Sequence, residues 1–135
     1  MSQNIDFTTL TQYKATSRVD ISDTGAAWNA NYPSGWEHTV STVADGIYEL
    51  EVRTSFLGWE KTMEFDFSAG LVSGFTQIAH ADSTATGTVP GFGRVVSLLA
   101  KATGTSGKYR AVVRLGGANQ AVSVYDGYMI ARRIG

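Results

Sequence analysis

The stretch Trp59–Phe67, with the sequence WEKTMEFDF, decides the fold class of this chain. Its side chains alternate with a period of two. Trp59, Lys61, Met63, Phe65 and Phe67 fall on one side, and Glu60, Thr62, Glu64 and Asp66 fall on the other. In a helix the apolar residues would scatter around the axis, whereas in an extended strand they share one face. The stretch therefore predicts a strand with one buried and one solvated face.

The same alternation continues on both sides of this stretch. Ile47–Phe56 alternates upstream, and a short connection at Leu57 and Gly58 is predicted to join the two runs as a hairpin. Downstream, Arg94–Lys101 is almost continuously apolar, which is typical of a strand that is buried on both faces or lies at a subunit contact, although periodicity alone is also compatible with a helix here. The other predicted strands are Tyr13–Ile21, His38–Val43, Leu71–Ala79, Lys108–Leu115, Ala121–Tyr125 and Tyr128–Ile134. The dipeptide Asp126-Gly127 predicts a two-residue turn between the last two, because both positions tolerate positive φ.

This pattern of about eight short strands between turn signals predicts an all-β fold, a two-sheet antiparallel sandwich or a barrel. A jelly roll is the preferred topology, and an immunoglobulin-like sandwich is the alternative. The length of 135 residues suits one core. We therefore expect an N-terminal arm over residues 1–12 and a single domain over residues 13–135, with longer loops at Ser22–Glu37 and Ala81–Phe92.

Composition and charge exclude several classes of function. The net charge is −1 and the basic residues are spread along the chain, so nucleic-acid binding is not expected. The chain has no cysteine, which excludes disulfides, thiolate catalysis and cysteine-based zinc sites. No apolar stretch reaches the roughly 18 to 20 residues of a membrane span, and no signal peptide is visible at the N-terminus. These features predict a soluble chain that is made in a cytoplasm.

The residues capable of catalysis form no familiar set. His38 and His80 are far apart in sequence, and no G-x-S-x-G motif provides a nucleophile for either. The carboxylates Glu60, Glu64 and Asp66 could face Glu49 and Glu51 across two strands as a glycosidase pair. Such rows of carboxylates are more often the solvated face of a sheet. We therefore expect no enzyme, no cofactor and no metal.

The loop from Trp28 to Trp36 is the main candidate for a binding surface. Trp28, Tyr32 and Trp36 alternate with amides such as Asn31. A sugar site needs flat apolar faces for C–H contacts and amide groups for hydroxyls, and exposed aromatic residues are also typical anchors of protein interfaces. Alternatively, Trp28 or Trp36 folds back and plugs one end of the sandwich.

Two further groups of residues are candidates for a calcium site and for a contact with a neighbouring subunit. Asp20, Asp23, Asn29 and Asn31 could supply oxygen ligands to Ca²⁺, but their spacing does not match an EF-hand, and Asp and Asn are ordinary turn residues. Val89 and Phe92 lie near the end of the second long loop. A loop of that length is either mobile or ordered by a neighbour, so these two apolar residues favour docking on an adjacent subunit.

The C-terminal third resembles the closing hairpins of bacteriophage virion β-sandwich domains. The resemblance rests on Gly107–Leu115, Ala121–Tyr125, Asp126-Gly127 and Tyr128–Ile134. That group includes capsid decoration proteins and head-fibre or receptor-binding tip domains, which commonly form trimers. The resemblance implies a structural protein of the virion that forms a homo-oligomer, with a trimer favoured.

Within that group, a chain of this length without shaft repeats fits a capsid decoration or cement protein that binds neighbouring capsid subunits. The alternative is a carbohydrate-binding module or an adhesin-like, receptor-binding domain that uses the aromatic loop to bind a glycan.

Overall fold

The chain forms strands throughout the part that a computed structural model describes, which is residues 10–15, 19–23, 30–58, 63–81, 83–87, 92–116 and 120–135. Eleven strands and no helix occur in these ranges. They are Leu10–Ala15 (β1), Val19–Asp23 (β2), Ala30–Asn31 (β3), Glu37–Ser41 (β4), Ile47–Gly58 (β5), Met63–Ser73 (β6), Phe75–Ala81 (β7), Ser83–Gly87 (β8), Phe92–Ala102 (β9), Ser106–Leu115 (β10) and Gln120–Arg133 (β11). Within the same ranges, no helix is long and apolar enough to cross a membrane.

The strands pair into two antiparallel sheets. Sheet A has the order β1-β11-β5-β9-β7, and β2 also pairs with β11. Sheet B has the order β3-β10-β6-β8, and β4 also pairs with β10. Each sheet thus has a long strand, β11 or β10, whose outer edge is covered by two short strands in succession. The predicted two-sheet antiparallel sandwich is confirmed.

The path of the chain between the sheets is that of a jelly roll. From β4 onward, each described strand lies in the sheet opposite to that of the strand before it. An immunoglobulin-like sandwich instead keeps several consecutive strands side by side in one sheet. The preferred topology is therefore observed in place of the alternative.

The hydrophobic core lies between the sheets. Its largest fully buried side chains are Trp36, Tyr48, Tyr109, Phe56, Phe67, Leu50, Leu98, Leu115, Met129 and Val40. Phe56 of sheet A meets Phe67 of sheet B with ring centroids 4.9 Å apart in an edge-to-face arrangement. Such a pair contributes about 0.5–1.5 kcal/mol beyond its buried area. Phe67 therefore points into the core, as the alternation predicts.

The hairpin predicted at Leu57 and Gly58 is wrong. Both residues lie inside β5, where they pair with Ser123 and Val122 of β11. The next strand, β6, lies in the other sheet. The two alternating runs thus carry the chain across the sandwich, because periodicity reports which face of a strand is buried and not which strand lies beside it.

The turn predicted at Asp126-Gly127 is also wrong, because the two predicted strands around it form one continuous strand, β11. The pairing of β11 with β5 shifts register at this point. Asp126 does adopt a positive φ of 45°. A single left-handed residue produces a β-bulge that bends the strand without reversing it. At Gly127, an added Cβ would lie 2.0 Å from the carbonyl oxygen of Arg53 and 2.7 Å from Cη2 of Trp36.

The predicted strand Leu71–Ala79 is divided by a change of sheet at Gly74. This glycine has a φ of 75°, and a Cβ there would lie 2.1 Å from the carbonyl oxygen of Ser106. The left-handed conformation and the close backbone both require glycine. The chain consequently leaves sheet B at the end of β6 and enters sheet A as β7.

Other predicted boundaries also need correction. The predicted strand Tyr13–Ile21 spans β1 and β2, and the predicted loops Ala81–Phe92 and Ser22–Glu37 contain β8 and β3. Residues 10–12 of the predicted arm belong to β1, while residues 1–9 lie outside the described ranges.

The apolar run in β9 is buried on one face, with Val95 of the other face 44% exposed. The prediction that both faces of this strand are buried is therefore wrong within a single chain.

Candidate functional site

A groove of about 360 Å³ opens at the side of the sandwich, and we call it the edge groove. It lies between β2, at the edge of sheet A, and the segment that follows β3, at the edge of sheet B. Its lining consists of Val19, Asp20, Ile21, Asn31, Tyr32, Pro33 and Ser34. Ligand sites occupy roughly 300–1,000 Å³, so the groove suits a small ligand or a short segment of a larger one.

A tight turn from Pro33 to Trp36 forms one wall of the edge groove. The backbone N–H of Trp36 donates to the carbonyl oxygen of Pro33 at 3.1 Å. Gly35 has a φ of 79°, which is the left-handed conformation that a type II turn requires at its third position. The turn directs Trp36 into the core and leaves Ser34 and Tyr32 at the surface.

Tyr32 presents an accessible aromatic ring to the edge groove. Its side chain is 51% exposed. Arg110 of β10 places its guanidinium carbon 3.4 Å from the centroid of the ring. A cation–π contact of this kind contributes about 0.5–1 kcal/mol at an exposed site. The contact covers one face of the ring and restrains its orientation, so the rest of the ring is available to a ligand.

Asp20 supplies a carboxylate on the opposite wall of the groove. The hydroxyl of Ser123 donates to Oδ1 of Asp20 at 2.5 Å. Ser123 is fully buried and pairs with Asp20 across β11 and β2. Since a buried hydroxyl holds one of its oxygens, the carboxylate has a defined orientation. Asn31, which pairs with Val113 of β10, adds a half-buried amide on the other wall.

Trp36 lies away from this surface. It is 1% exposed, and its Cη2 atom lies next to Gly127 of the bulge in β11. The interpretation that this side chain folds back into the sandwich is therefore correct, and its prediction as a partner or glycan contact is corrected. The backbone turn at Gly35 is the physical reason, because it reverses the chain between Tyr32 and Trp36.

The other predicted contact residues divide into two groups. Asn31 and Tyr32 both line the edge groove. Trp28 and Val89 lie outside the described residues, as does the side chain of Phe92, whose backbone begins β9. Sequence reasoning considered Asp20 as a calcium ligand and missed its place beside Tyr32. Among the described residues, no three side chains of His, Asp or Glu come together as a metal site.

His38 belongs to a buried polar cluster behind the Pro33–Trp36 turn. Tyr109 donates its hydroxyl hydrogen to the carbonyl oxygen of Glu51 at 3.1 Å. A hydroxyl has one hydrogen, and that of Tyr109 is used in this bond. Nδ1 of His38, which lies 3.2 Å from the Tyr109 oxygen, therefore donates to that oxygen. Tyr13 stacks on the imidazole with a centroid distance of 6.3 Å. Burial lowers the pKa of His38, while burial and the charge of Glu51 raise the pKa of Tyr109, so the surroundings disfavour the charged form of both groups.

A second groove, of about 440 Å³, is less suited to a ligand. It is lined by Asp66, Ser68, Ala69, Gly70, Gln77, His80, Val112 and Arg114. Its polar groups contact one another: Arg114 lies 3.6 Å from Oδ2 of Asp66, and the Gln77 amide lies 2.9 Å from Nδ1 of His80. Among the described residues, its lining includes no Phe, Tyr or Trp.

Among the carboxylates considered for glycoside hydrolysis, Glu60 and the side chain of Glu64 lie outside the described residues, and the others lie in different sheets. Glu49 and Glu51 are in β5 of sheet A, whereas Asp66 is in β6 of sheet B. Glu49 forms an ion pair with Arg132 of the neighbouring strand β11, and Asp66 forms one with Arg114. The proposed arrangement across two neighbouring strands is therefore wrong for these residues.

Comparison with known proteins extends the description of the fold. No family model matches the chain, and no curated protein matches it. Among solved structures, the chain is similar over 100% of its length to the tripod from the baseplate of bacteriophage Tuc2009, with 14% identity, a TM-score of 0.57 and 69% of that chain covered. The shared feature is the fold. The chain therefore shares a β-sandwich fold with that protein.

Two further structures are more distant. The Eiger TNF of S. frugiperda is 12% identical, with a TM-score of 0.43, over 93% of this chain and 92% of that one. The carbohydrate-binding module TmCBM61, in complex with β-1,4-galactotriose, is 12% identical, with a TM-score of 0.39, over 91% of this chain and 88% of that one. At these TM-scores neither carries an argument about function.

Proposed function

We propose that this chain is a structural domain of a bacteriophage particle that binds through its surface and catalyses no reaction. The observation that supports this most is the likeness in fold to the Tuc2009 baseplate tripod over the whole chain.

The arrangement of the polar groups supports a role without catalysis. His38 is buried in a hydrogen-bonded cluster with Tyr109. The carboxylates of Asp66 and Glu49 are engaged by arginines on neighbouring strands. An active site requires an acid, base or nucleophile that reaches a substrate. His38, Asp66 and Glu49 are instead used in interactions within the fold.

Within the particle, we propose a position at the tail tip as a receptor-binding domain. The edge groove supports this position, because an accessible Tyr32 and an oriented Asp20 form a surface that is suited to a small polar ligand. Capsid decoration is the second candidate. Ile78 and Val95, which are 54% and 44% exposed on the neighbouring strands β7 and β9, favour it as apolar contacts for neighbouring subunits. In either position we expect a homotrimer.

Analysis of fractionated particles tests this function. Tails and heads of the phage that encodes the chain would be separated on a density gradient, and mass spectrometry would quantify the chain in each fraction. We expect enrichment with the tails. Enrichment with the heads would favour capsid decoration, and absence from both would contradict the proposed function. Light scattering after size-exclusion chromatography tests the trimer, for which we expect three times the mass of one chain.

A further inference from the structure

We infer that the chain contacts a second copy of itself through the edge of sheet A that ends in β7, with Ile78 of one copy inserted into a hollow of the other. The contact area consists of outward residues of β7 and β9, and we call it the β7 surface: Ile78, Ala79, Val95, Ser97 and Leu99. The inference rests on the proposed function, which expects a homotrimer, and it locates the contact between copies.

Alternation along β9 places part of this surface on the outer face of sheet A. The even-numbered residues of β9 from Val96 to Ala100 point into the core, so Val95, Ser97 and Leu99 point outward. Ala79 of β7 is the cross-strand partner of Leu99, and residues directly opposite each other share a face. These residues therefore form one continuous surface that is two strands wide.

Ile78 projects from this surface at a β-bulge. The pairing of β7 with β9 shifts register between Gln77 and Ala79, which makes Ile78 the extra residue. Its side chain is 54% exposed, the largest value among the exposed large hydrophobic residues of the described ranges. A bulge also disfavours the regular addition of another strand to an edge. We therefore expect a contact through side chains and not through a shared sheet.

A hollow of about 180 Å³ lies next to the bulge. Its lining consists of Ala79 and His80, which follow Ile78 in the chain, and of Ser97 and Leu99 in β9. Small-molecule sites occupy roughly 300–1,000 Å³, so this hollow suits a single side chain better than a ligand. The β7 surface thus presents both a projecting apolar side chain and a place that can receive one, which makes it complementary to a second copy of itself.

The distribution of charge favours a second copy as the occupant. All five residues of the β7 surface are uncharged, so two copies do not repel each other there, and no charge loses its water when they meet. Glu49, Glu51 and Arg53 of β5 border the surface, in the way that polar residues form the rim of an interface. Lys101, the next outward residue of β9, lies 3.5 Å from Asp45 in an ion pair.

The strands at the opposite edge of the sandwich differ in this respect. The described strands β1, β2 and β4 contain Lys14, Asp20, Asp23 and Glu37. Charged residues on edge strands discourage contact with other chains. In contrast, β7 has the sequence FTQIAHA, without Asp, Glu, Lys or Arg. The contrast favours the β7 edge as the side that a second copy covers.

Light scattering after size-exclusion chromatography tests the contact with three variants of the full chain. Ile78→Lys places a charge in the contact, so we expect the mass of one chain at a concentration where the wild type has the mass of three. Ser97→Leu fills the hollow and should raise the dissociation constant at least about tenfold. Val43→Lys is the matched control, because Val43 is 47% exposed in the turn between β4 and β5, outside the β7 surface. It should assemble like the wild type.

Three results would overturn the inference. They are a wild-type chain that stays monomeric at every concentration, assembly of Ile78→Lys equal to that of the wild type, and a monomeric wild type that loses its binding to phage heads on the change Ile78→Lys. The last result would assign the surface to a capsid partner. Unchanged assembly of Ser97→Leu would refute the insertion of Ile78 into the hollow. Circular dichroism of each variant shows that it has folded.

The contact and the proposed function fail separately. If the chain assembles through Ile78 and is absent from particles, the contact stands and the function in the particle is wrong. If the chain is found in tail fractions and Ile78→Lys assembles normally, the function in the particle stands and the contact is assigned to the wrong surface.

Discussion

Replacement of Gly127 by alanine should destabilise the protein because the bulge in β11 brings three other atoms too close for a side chain. An added Cβ would lie 2.0 Å from the carbonyl oxygen of Arg53, 2.7 Å from Cη2 of Trp36 and 2.8 Å from Cα of Thr54. Two of these atoms belong to the backbone of β5, so a side-chain rotation cannot relieve the contact. Overpacking of a core costs roughly 1–3 kcal/mol. We expect Gly127→Ala to lower the free energy of unfolding by about 3 kcal/mol.

Gly104→Ala provides the matched control, since no atom lies within 4 Å of a Cβ added at Gly104. A glycine-to-alanine change that the native backbone tolerates stabilises a protein by about 0.4–1 kcal/mol, because it restricts the unfolded chain. Urea unfolding, followed by tryptophan fluorescence, would measure the free energy of unfolding of both variants. Trp36 serves as the probe because it lies next to the bulge. If Gly127→Ala were as stable as Gly104→Ala, the close approach of β5 and β11 at the bulge would be wrong.

Three further predictions concern the groove and the residues behind it. Trp36→Ala should lower the free energy of unfolding by about 3–5 kcal/mol, because it removes a fully buried ring. Tyr32→Ala should change it by less than about 1 kcal/mol, because Tyr32 is exposed. Denaturant titration of the two variants measures the difference. Arg110→Ala should cost about 0.5–1 kcal/mol through the lost contact with Tyr32, and the double variant with Tyr32→Ala should show that the two losses are not additive. The free energy of unfolding should decrease as the pH is lowered below about 6.5, because His38 binds a proton more readily in the unfolded chain than in the folded one. The slope is at most about 1.4 kcal/mol per pH unit. Unfolding of His38→Gln, measured between pH 5 and 7.5, should not show this slope.

The sequence predicts the faces of the strands well because burial has a local signature. Phe67 and Leu50 lie in the core, as alternation within their own strands indicates. Which strands lie side by side is a different property, decided by pairing between distant segments. The error at Leu57 and Gly58 follows from this, since their partners in β11 are more than sixty residues away. At Asp126, the positive φ is predicted correctly, yet the same local conformation can reverse a chain or bend it.

The edge groove shows the same division between local and distant information. Tyr32 and Asn31 are predicted from the composition of a single loop, and their places in the groove follow from one turn at Gly35. Asp20 joins them because β2 borders one sheet and β3 borders the other. Its orienting partner, Ser123, is separated from it by 103 positions. A local pattern therefore indicates Tyr32 and Asn31, whereas the carboxylate of Asp20 joins them only once β2 pairs with the last strand, β11.

The jelly roll also explains why the candidate site lies at an edge of the sandwich and not on a face. The short strands β3 and β4 both pair with β10, and the segment between them leaves the sheet as the Pro33–Trp36 turn. The interruption exposes Tyr32 while Trp36 fills the core. A continuous strand would alternate its side chains and could not place residues 32 and 36 on opposite sides, because residues an even number apart share a face. The turn at Gly35 therefore couples the stability of the core to the shape of the groove.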